Sequence, residues 1–163
     1  MSAGRIFLVG FMGTGKSTVG RLLAEALGLG FADLDADITA AAGQAIPEIF
    51  AAEGEAGFRQ RERAALLARL EGGPAVIACG GGIVVDPRNR ADLRRGGRVF
   101  CLRASPETLR ARLGDDPNRP LLRQDLGQLL AAREPFYAEF PDQIPTDGLE
   151  PEAVAKQILR ALA

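Results

Sequence analysis

Apolar residues in this chain fall into two alternating kinds of run. Residues 5–10 (RIFLVG), 75–79 (AVIAC) and 98–102 (RVFCL) are short and nearly continuously apolar, and the first two lead into glycine. Such runs predict strands buried on both faces, the state of a parallel sheet covered by helices. Residues 17–27 behave differently. There Val19, Leu22, Leu23, Ala26 and Leu27 repeat the i, i+3, i+4, i+7, i+8 stripe of an amphipathic helix, and Gly28 follows as a C-terminal cap. Ser105-Pro106 opens another helix, with serine as N-cap, proline at the first helical position, Leu109 and Leu113 on one face and Gly114 as its stop. Pro151 opens a third, striped by Val154, Ile158 and Leu162. Helical segments are also expected over 47–52, 55–70 and 125–138, the last broken or bent at Pro135. Strand–helix alternation of this kind predicts an α/β fold with a doubly wound parallel sheet and ligands outside the strands' carboxyl ends. The chain has 163 residues and shows no repeat or linker, so one domain spanning residues 1–163 is expected.

The strongest chemical signal sits between the first strand and the first helix. Gly10-Phe-Met-Gly13-Thr14-Gly15-Lys16-Ser17 matches G-x-x-x-x-G-K-[ST] in the strand–helix context that a phosphate-binding loop requires. Its glycines let successive N–H groups point inward at phosphate oxygens, and the following helix adds its positive end. Lys16 is expected on the β- and γ-phosphates and the Ser17 hydroxyl on Mg²⁺. The loop alone leaves ATPase, GTPase, nucleotide kinase and metabolite kinase open. Downstream, Phe31-Ala-Asp33-Leu-Asp35 reads as a short second strand with two carboxylates at i and i+2, hence on one face. One carboxylate would serve Mg²⁺ through water and the other a substrate hydroxyl. The alternative is that they are turn and cap residues, and Asp37 is placed to cap a helix beginning near Ile38.

Composition narrows the chemistry further. The chain has no histidine, which excludes Ser-His-Asp and Cys-His triads and His-based zinc sites. Lys16 and Lys156 are its only lysines. A net charge of −1 lacks the basic field that drives non-specific nucleic-acid binding, so no nucleic-acid partner is expected. No apolar stretch approaches a membrane span, and the N-terminal run is too short for a signal peptide, so a cytosolic location is expected. Cys79 and Cys101 sit within apolar runs and read as small buried hydrophobes with free thiols.

GFMGTGKSTVGRLLA, FADLDADI, GEAGFRQRE, CGGGIV, NRPLL and AREPFY occur in an order and spacing that resembles the shikimate kinases, from about Ile6 to about Val154. The resemblance implies a three-layer, nucleoside-monophosphate-kinase-like P-loop fold with a five-stranded sheet ordered 2-3-1-4-5. It also implies transfer of the ATP γ-phosphoryl group to the 3-hydroxyl of shikimate, by a monomer. Residues 33–61 would form the substrate-binding insertion and residues 114–124 a lid. By the same resemblance Gly13, Thr14, Gly15, Lys16, Ser17 and Thr18 hold ATP, Arg112 packs against adenine, and Arg119 swings over the phosphates. Arg59 and Arg133 match carboxylate-binding arginines, which suits a planar guanidinium. Gly80, Gly81 and Gly82 match a backbone stretch that approaches the substrate closely. Asp35 matches the residue that contacts the substrate hydroxyls, as base or as orienting group, and Asp33 the residue of the Mg²⁺ water shell.

Three positions depart from the family pattern: Thr39 where many members have glutamate, Ala78 where serine is frequent, and Leu149 where some have an adenine-side arginine. A different small-molecule kinase, such as one for gluconate, shares the P-loop and the size. A nucleotide-binding regulatory protein without catalysis would be free to lose Lys16, Ser17, Asp33 and Asp35, which are all present.

Overall fold

A computed structural model describes residues 4–113 and 126–163. Arg119, the Gly114 stop and the segment expected as a lid lie outside the described residues. Five parallel strands, β1 (Arg5–Gly10), β2 (Gly30–Asp33), β3 (Ala75–Ala78), β4 (Arg98–Arg103) and β5 (Gln143–Pro145), form one sheet in the order β2-β3-β1-β4-β5. Pairing puts Ile6 opposite Val76 on one side of β1, and Val9 opposite Cys101 on the other. Among the described residues seven helices connect or flank the strands: α1 (Lys16–Leu27), α2 (Leu34–Ala42), α3 (Ile46–Leu70), α4 (Pro87–Gly96), α5 (Pro106–Leu113), α6 (Leu126–Tyr137) and α7 (Pro151–Leu162).

Side chains alternate across each central strand, so each feeds two cores. Phe7, Val9, Ile77, Val99 and Cys101 face Leu66 of α3, Leu93 of α4 and Tyr137 of α6. Ile6, Leu8, Val76, Phe100 and Leu102 face Val19 and Leu23 of α1 and Val154 and Ile158 of α7. Both thiols are buried and free, and burial pushes the Cys101 thiol up to about 11. Both cysteines thus act as core-filling groups. A third, smaller core of Ile38, Ile49 and Phe58, with Phe50 stacked on Phe58 at 4.8 Å, lies between α2 and the first part of α3.

Two of the expected helix caps hold. Gly28 caps α1 in the left-handed conformation, and the Ser105 hydroxyl accepts from the Thr108 N–H. The segments expected over 47–52 and 55–70 join as α3 across a kink at Gly54, whose φ of 72° leaves the helical region. The break expected at Pro135 is corrected: α6 runs through that proline to Tyr137. Asp37 is a correction. It sits in the first turn of α2 and pairs with Arg69 at 2.7 Å, because Asp33 has already capped the helix by accepting from the Asp35 and Ala36 N–H groups.

At the amino end of the sheet, Arg5 donates to the carbonyls of Leu70 and Gly72, both at 2.6 Å, and of Gly96 at 3.2 Å. It thereby ties the ends of α3 and α4 to the central strand. Arg5→Met keeps the aliphatic stem and removes three donors, so it is expected to lower unfolding stability by about 1–3 kcal/mol. Urea unfolding checks this, and an unchanged midpoint would mean that water replaces all three bonds.

Among the described residues no helix is long and apolar enough to cross a membrane. The sheet's geometry fixes where chemistry belongs. β1 lies between β3 and β4, so the strand order reverses around it, and the crevice opens beyond its carboxyl end at Gly10.

Candidate active site

The loop leaving β1 turns through glycines at positive φ, 87° at Gly13 and 92° at Gly15, a region from which a Cβ would exclude most residues. Gly15 is also the N-cap of α1, so the amides opening that helix face the loop's interior. Lys16 is only 9% exposed, and its ammonium donates to the carbonyls of Gly10 at 2.6 Å and Phe11 at 3.1 Å. Thr14 closes the loop by donating to the Phe11 carbonyl at 2.8 Å.

Asp33 joins this loop to β2. Its Oδ2 accepts from the Ser17 hydroxyl at 2.7 Å while its Oδ1 caps α2. The one-face strand expected for Asp33 and Asp35 is therefore corrected: β2 ends at Asp33, and Asp35 stands in the first turn of α2. The two carboxylates still meet. Both line a cavity of about 230 Å³ together with Gly13, Gly15, Lys16, Ser17, Thr18, Gly80 and Gly81. Asp33 thus caps α2 with one carboxylate oxygen and accepts from Ser17 with the other. Among the described residues no group of three acidic, cysteine or histidine side chains forms a metal cage. The Ser17–Asp33 pair is instead a hard two-oxygen donor set, which fits a Mg²⁺ that takes its remaining ligands from phosphate and water.

Gly80–Gly82, after β3, is the hub of the site. A Cβ at Gly80 would stand 2.9 Å from both Asp35 Oδ1 and Glu62 Oε2; at Gly81, 3.4 Å from Arg133 Nη1; at Gly82, 2.4 Å from Arg59 Nη2. Gly80 and Gly82 thus let Asp35, Glu62 and Arg59 approach the backbone where any larger residue would meet them, whereas at Gly81 the tighter limit is the Met12 backbone nitrogen, 3.2 Å from the same Cβ position. Arg59 is held by Glu62 at 3.0 Å and Glu55 at 3.5 Å. Arg133, on α6, is 3% exposed and lies 5.6 Å from the Phe11 ring centroid. Its Nη1 is buried without a hydrogen-bond partner among the described residues, and so is Glu62 Oε2. Opposite unsatisfied groups facing one glycine turn suit a small ligand with both a carboxylate and hydroxyls.

On the other side of the P-loop a cavity of about 490 Å³ is lined by Thr14, Gly15, Thr18, Arg112, Thr146 and Leu149, among others. Gly15 and Thr18 border both cavities, so the loop forms their shared wall. Arg112 is fixed across the second cavity by the Gly13 carbonyl at 3.1 Å and by the carbonyl and hydroxyl of Thr146, both at 3.2 Å.

A family model described as shikimate kinase matches residues 12–163. The chain belongs to the shikimate kinase family. A shikimate kinase of Pseudomonas syringae pv. tomato is 48% identical over 164 residues, covering 97% of this chain and 95% of its relative. The solved structure of Acinetobacter baumannii shikimate kinase in complex with shikimate superposes with a TM-score of 0.94 at 40% identity, covering 98% of this chain and 92% of that one. A gluconokinase from Sinorhizobium meliloti matches with a TM-score of 0.58 at 18% identity, covering 99% and 92%, and shares the fold alone. The expected fold class and strand order hold, and the family resemblance rests on nearly the whole chain.

The departures from the family pattern sit at the edges of the site. The Thr39 hydroxyl donates to the Asp35 carbonyl at 3.0 Å, Ala78 is buried in β3, and Leu149 lines the larger cavity. Three site residues were given no role from the sequence: Glu62, the last residue of GEAGFRQRE, Thr146 and, as a partner of the glycine turn, Tyr137. Glu62 was within reach, three residues after Arg59 on one helical face. Thr146 carries no comparable signal.

Glu62 also sets an expected pH dependence. It is 1% exposed, and burial pushes its carboxyl up against the pull of the Arg59 guanidinium. A carboxyl raised on folding contributes stability that is complete below its ordinary value of 4.5 and lost as pH rises through the folded value. Glu62→Gln does not titrate, so its stability relative to the parent is expected to grow as pH rises above 4.5. Urea unfolding at several pH values reads this, and a pH-independent difference would show that Glu62 stays ionised in the fold.

Proposed function

We propose that this protein transfers the γ-phosphoryl group of ATP to the 3-hydroxyl of shikimate, giving shikimate 3-phosphate and ADP. The observation that carries this reading is the glycine turn. It gathers Asp35, Glu62, Arg59 and Arg133 around three consecutive backbone positions, of which Gly80 and Gly81 line the P-loop cavity. In this reading Arg59 and Arg133 fix the acid's carboxylate, the amides of Gly80–Gly82 approach its ring, and Asp35 faces the hydroxyl that attacks. The hydroxyl oxygen bonds to the γ-phosphorus as the bond to the β–γ bridging oxygen breaks, and its proton leaves toward Asp35. Gly13, Thr14, Gly15 and Thr18 cradle the phosphates, Lys16 neutralises charge on the β and γ groups, and Arg112 covers the base. Ser17 and, through water, Asp33 would hold Mg²⁺, which supplies further charge neutralisation on the nucleotide.

Arg119 and residues 114–124 act in this reading as the lid that excludes water, and residues 33–61 as the acceptor-binding insertion of a single domain. The protein works as a cytoplasmic monomer with ATP and shikimate as its partners, without nucleic acid or membrane. The net charge of −1 supports the exclusion of nucleic acid. The deciding experiment is coupled detection of ADP with shikimate, gluconate and AMP as separate acceptors. Shikimate-dependent turnover is expected; its absence would overturn the reading. Transfer to gluconate or AMP alone would redirect it to another acceptor, and ATP binding without any transfer would leave a nucleotide-binding protein.

A further inference from the structure

We propose that Tyr137 is a positioning residue for the acceptor substrate: its hydroxyl locks the peptide between Gly81 and Gly82 and so sets the direction of the Gly82 amide. The inference rests on the shikimate reading of the site and deepens it. All three carbonyls of the glycine turn are held. The Gly80 carbonyl accepts from the Ile83 N–H at 3.2 Å and the Gly82 carbonyl from the Val85 N–H at 3.1 Å. Between them, the Gly81 carbonyl accepts from the Tyr137 hydroxyl at 2.5 Å, a bond that spans 56 positions of sequence. None of the three amides of the turn donates to a main-chain carbonyl among the described residues.

The Gly81–Gly82 peptide is the weak point of this arrangement. Neither flanking residue has a Cβ, so little steric resistance opposes a flip of the peptide plane. In a trans peptide the N–H points opposite to the carbonyl, so holding the Gly81 oxygen also aims the Gly82 N–H. The two neighbouring carbonyls are tied within the turn itself, whereas the middle one depends on a distant side chain. That side chain is well anchored. Tyr137 is buried among core residues, with Arg103 over its ring at 5.9 Å. It also lies four residues after Arg133 on α6, hence on the same helical face. One helix face therefore carries both the guanidinium that meets Gly81 and the hydroxyl that orients its carbonyl. Burial pushes the phenol up, so it remains a donor throughout the neutral range.

Tyr137→Phe preserves the ring and removes only the donor. The KM for shikimate is expected to rise about tenfold while the KM for ATP stays within about twofold, as for one lost buried hydrogen bond read through one ligand. Thermal stability falls as well, but a loss of stability alone would not separate the two KM values. Incorporation of 4-aminophenylalanine at position 137 restores an N–H donor and is expected to recover most of the shikimate affinity. Amide hydrogen exchange supplies a readout independent of turnover, with the Ile83 and Val85 amides, which close the turn on the Gly80 and Gly82 carbonyls, exchanging faster in Tyr137→Phe while β1 remains protected. Equal changes in both KM values, a shikimate KM close to the parent's, unchanged exchange at Ile83 and Val85, or a variant that fails to fold at room temperature would each assign the hydroxyl to stability alone. If the parent itself shows no turnover with shikimate, the functional reading fails, and the exchange comparison still decides whether Tyr137 locks the turn.

Discussion

Lys16→Met is expected to lower kcat by about three orders of magnitude or more while leaving the protein folded, because charge stabilisation at the transferring phosphoryl group is the main catalytic device in this chemistry. Lys16 is the only ammonium near the P-loop, since the chain's other lysine, Lys156, sits exposed on α7. Its hydrogen bonds to the Gly10 and Phe11 carbonyls hold the ammonium at the mouth of the loop, where a phosphate oxygen would exchange for one of them. Lys16→Arg is expected to restore little. The planar, forked guanidinium is larger than an ammonium and cannot enter a pocket shaped around a point charge. The check is steady-state turnover, with circular dichroism to confirm the fold and calorimetric ADP titration to separate binding from chemistry. Turnover within about tenfold of the parent would move the charge-stabilising role to the arginines.

Arg133→Met should separate the two substrates most sharply. The KM for shikimate is expected to rise about a hundredfold and the KM for ATP by less than about twofold, in line with loss of a buried charge-assisted pair. The residue's surroundings make a second effect predictable. Its Nη1 is buried without an acceptor among the described residues, and a guanidinium in that state costs stability until a carboxylate reaches it. Arg133→Met is therefore expected to be as stable as the parent in the absence of substrate, and to lose the thermal shift that shikimate gives the parent. Arg59 differs. It already pairs with Glu62 and Glu55, so its removal would strand a buried carboxylate as well as weaken the acid's binding. Parallel changes in both KM values for Arg133→Met would contradict its assignment to the carboxylate.

The P-loop was legible because its chemistry is local. Four fixed positions between a buried strand and an amphipathic helix determine both the turn and the direction of its amides. The central strands were legible for a related reason, since burial on both faces leaves no polar alternation to misread. Where reading failed, a polar group had acted on the backbone in a way that hydropathy does not register. The Asp-Leu-Asp alternation at 33–35 looks like a strand edge, yet Asp33 accepts two amides and starts α2 one residue later. α4 went unread because PRNRADLRRG has only one large apolar residue, Leu93, and so no stripe. β5 went unread because Gln143-Ile144-Pro145 has a single apolar side chain facing the core. Site partners at long sequence separation were the least visible. Nothing near Gly81 announces Tyr137, and nothing near Arg112 announces Thr146.

The small core of Ile38, Ile49 and Phe58 bears on how the protein comes apart as well as on how it is held together. It is distinct from the two cores that grip the sheet, and Gly54 interrupts the helix that would otherwise stiffen it. A small cluster of this kind, joined to the main core through Ala65, is placed to open as a local unit at lower free energy than the whole molecule. Mild denaturant should therefore erase affinity for the acid before affinity for the nucleotide, and a bound acid spanning Asp35, Arg59 and Arg133 would fasten that unit to the rest. Acceptor binding and local melting would then be two readings of a single equilibrium.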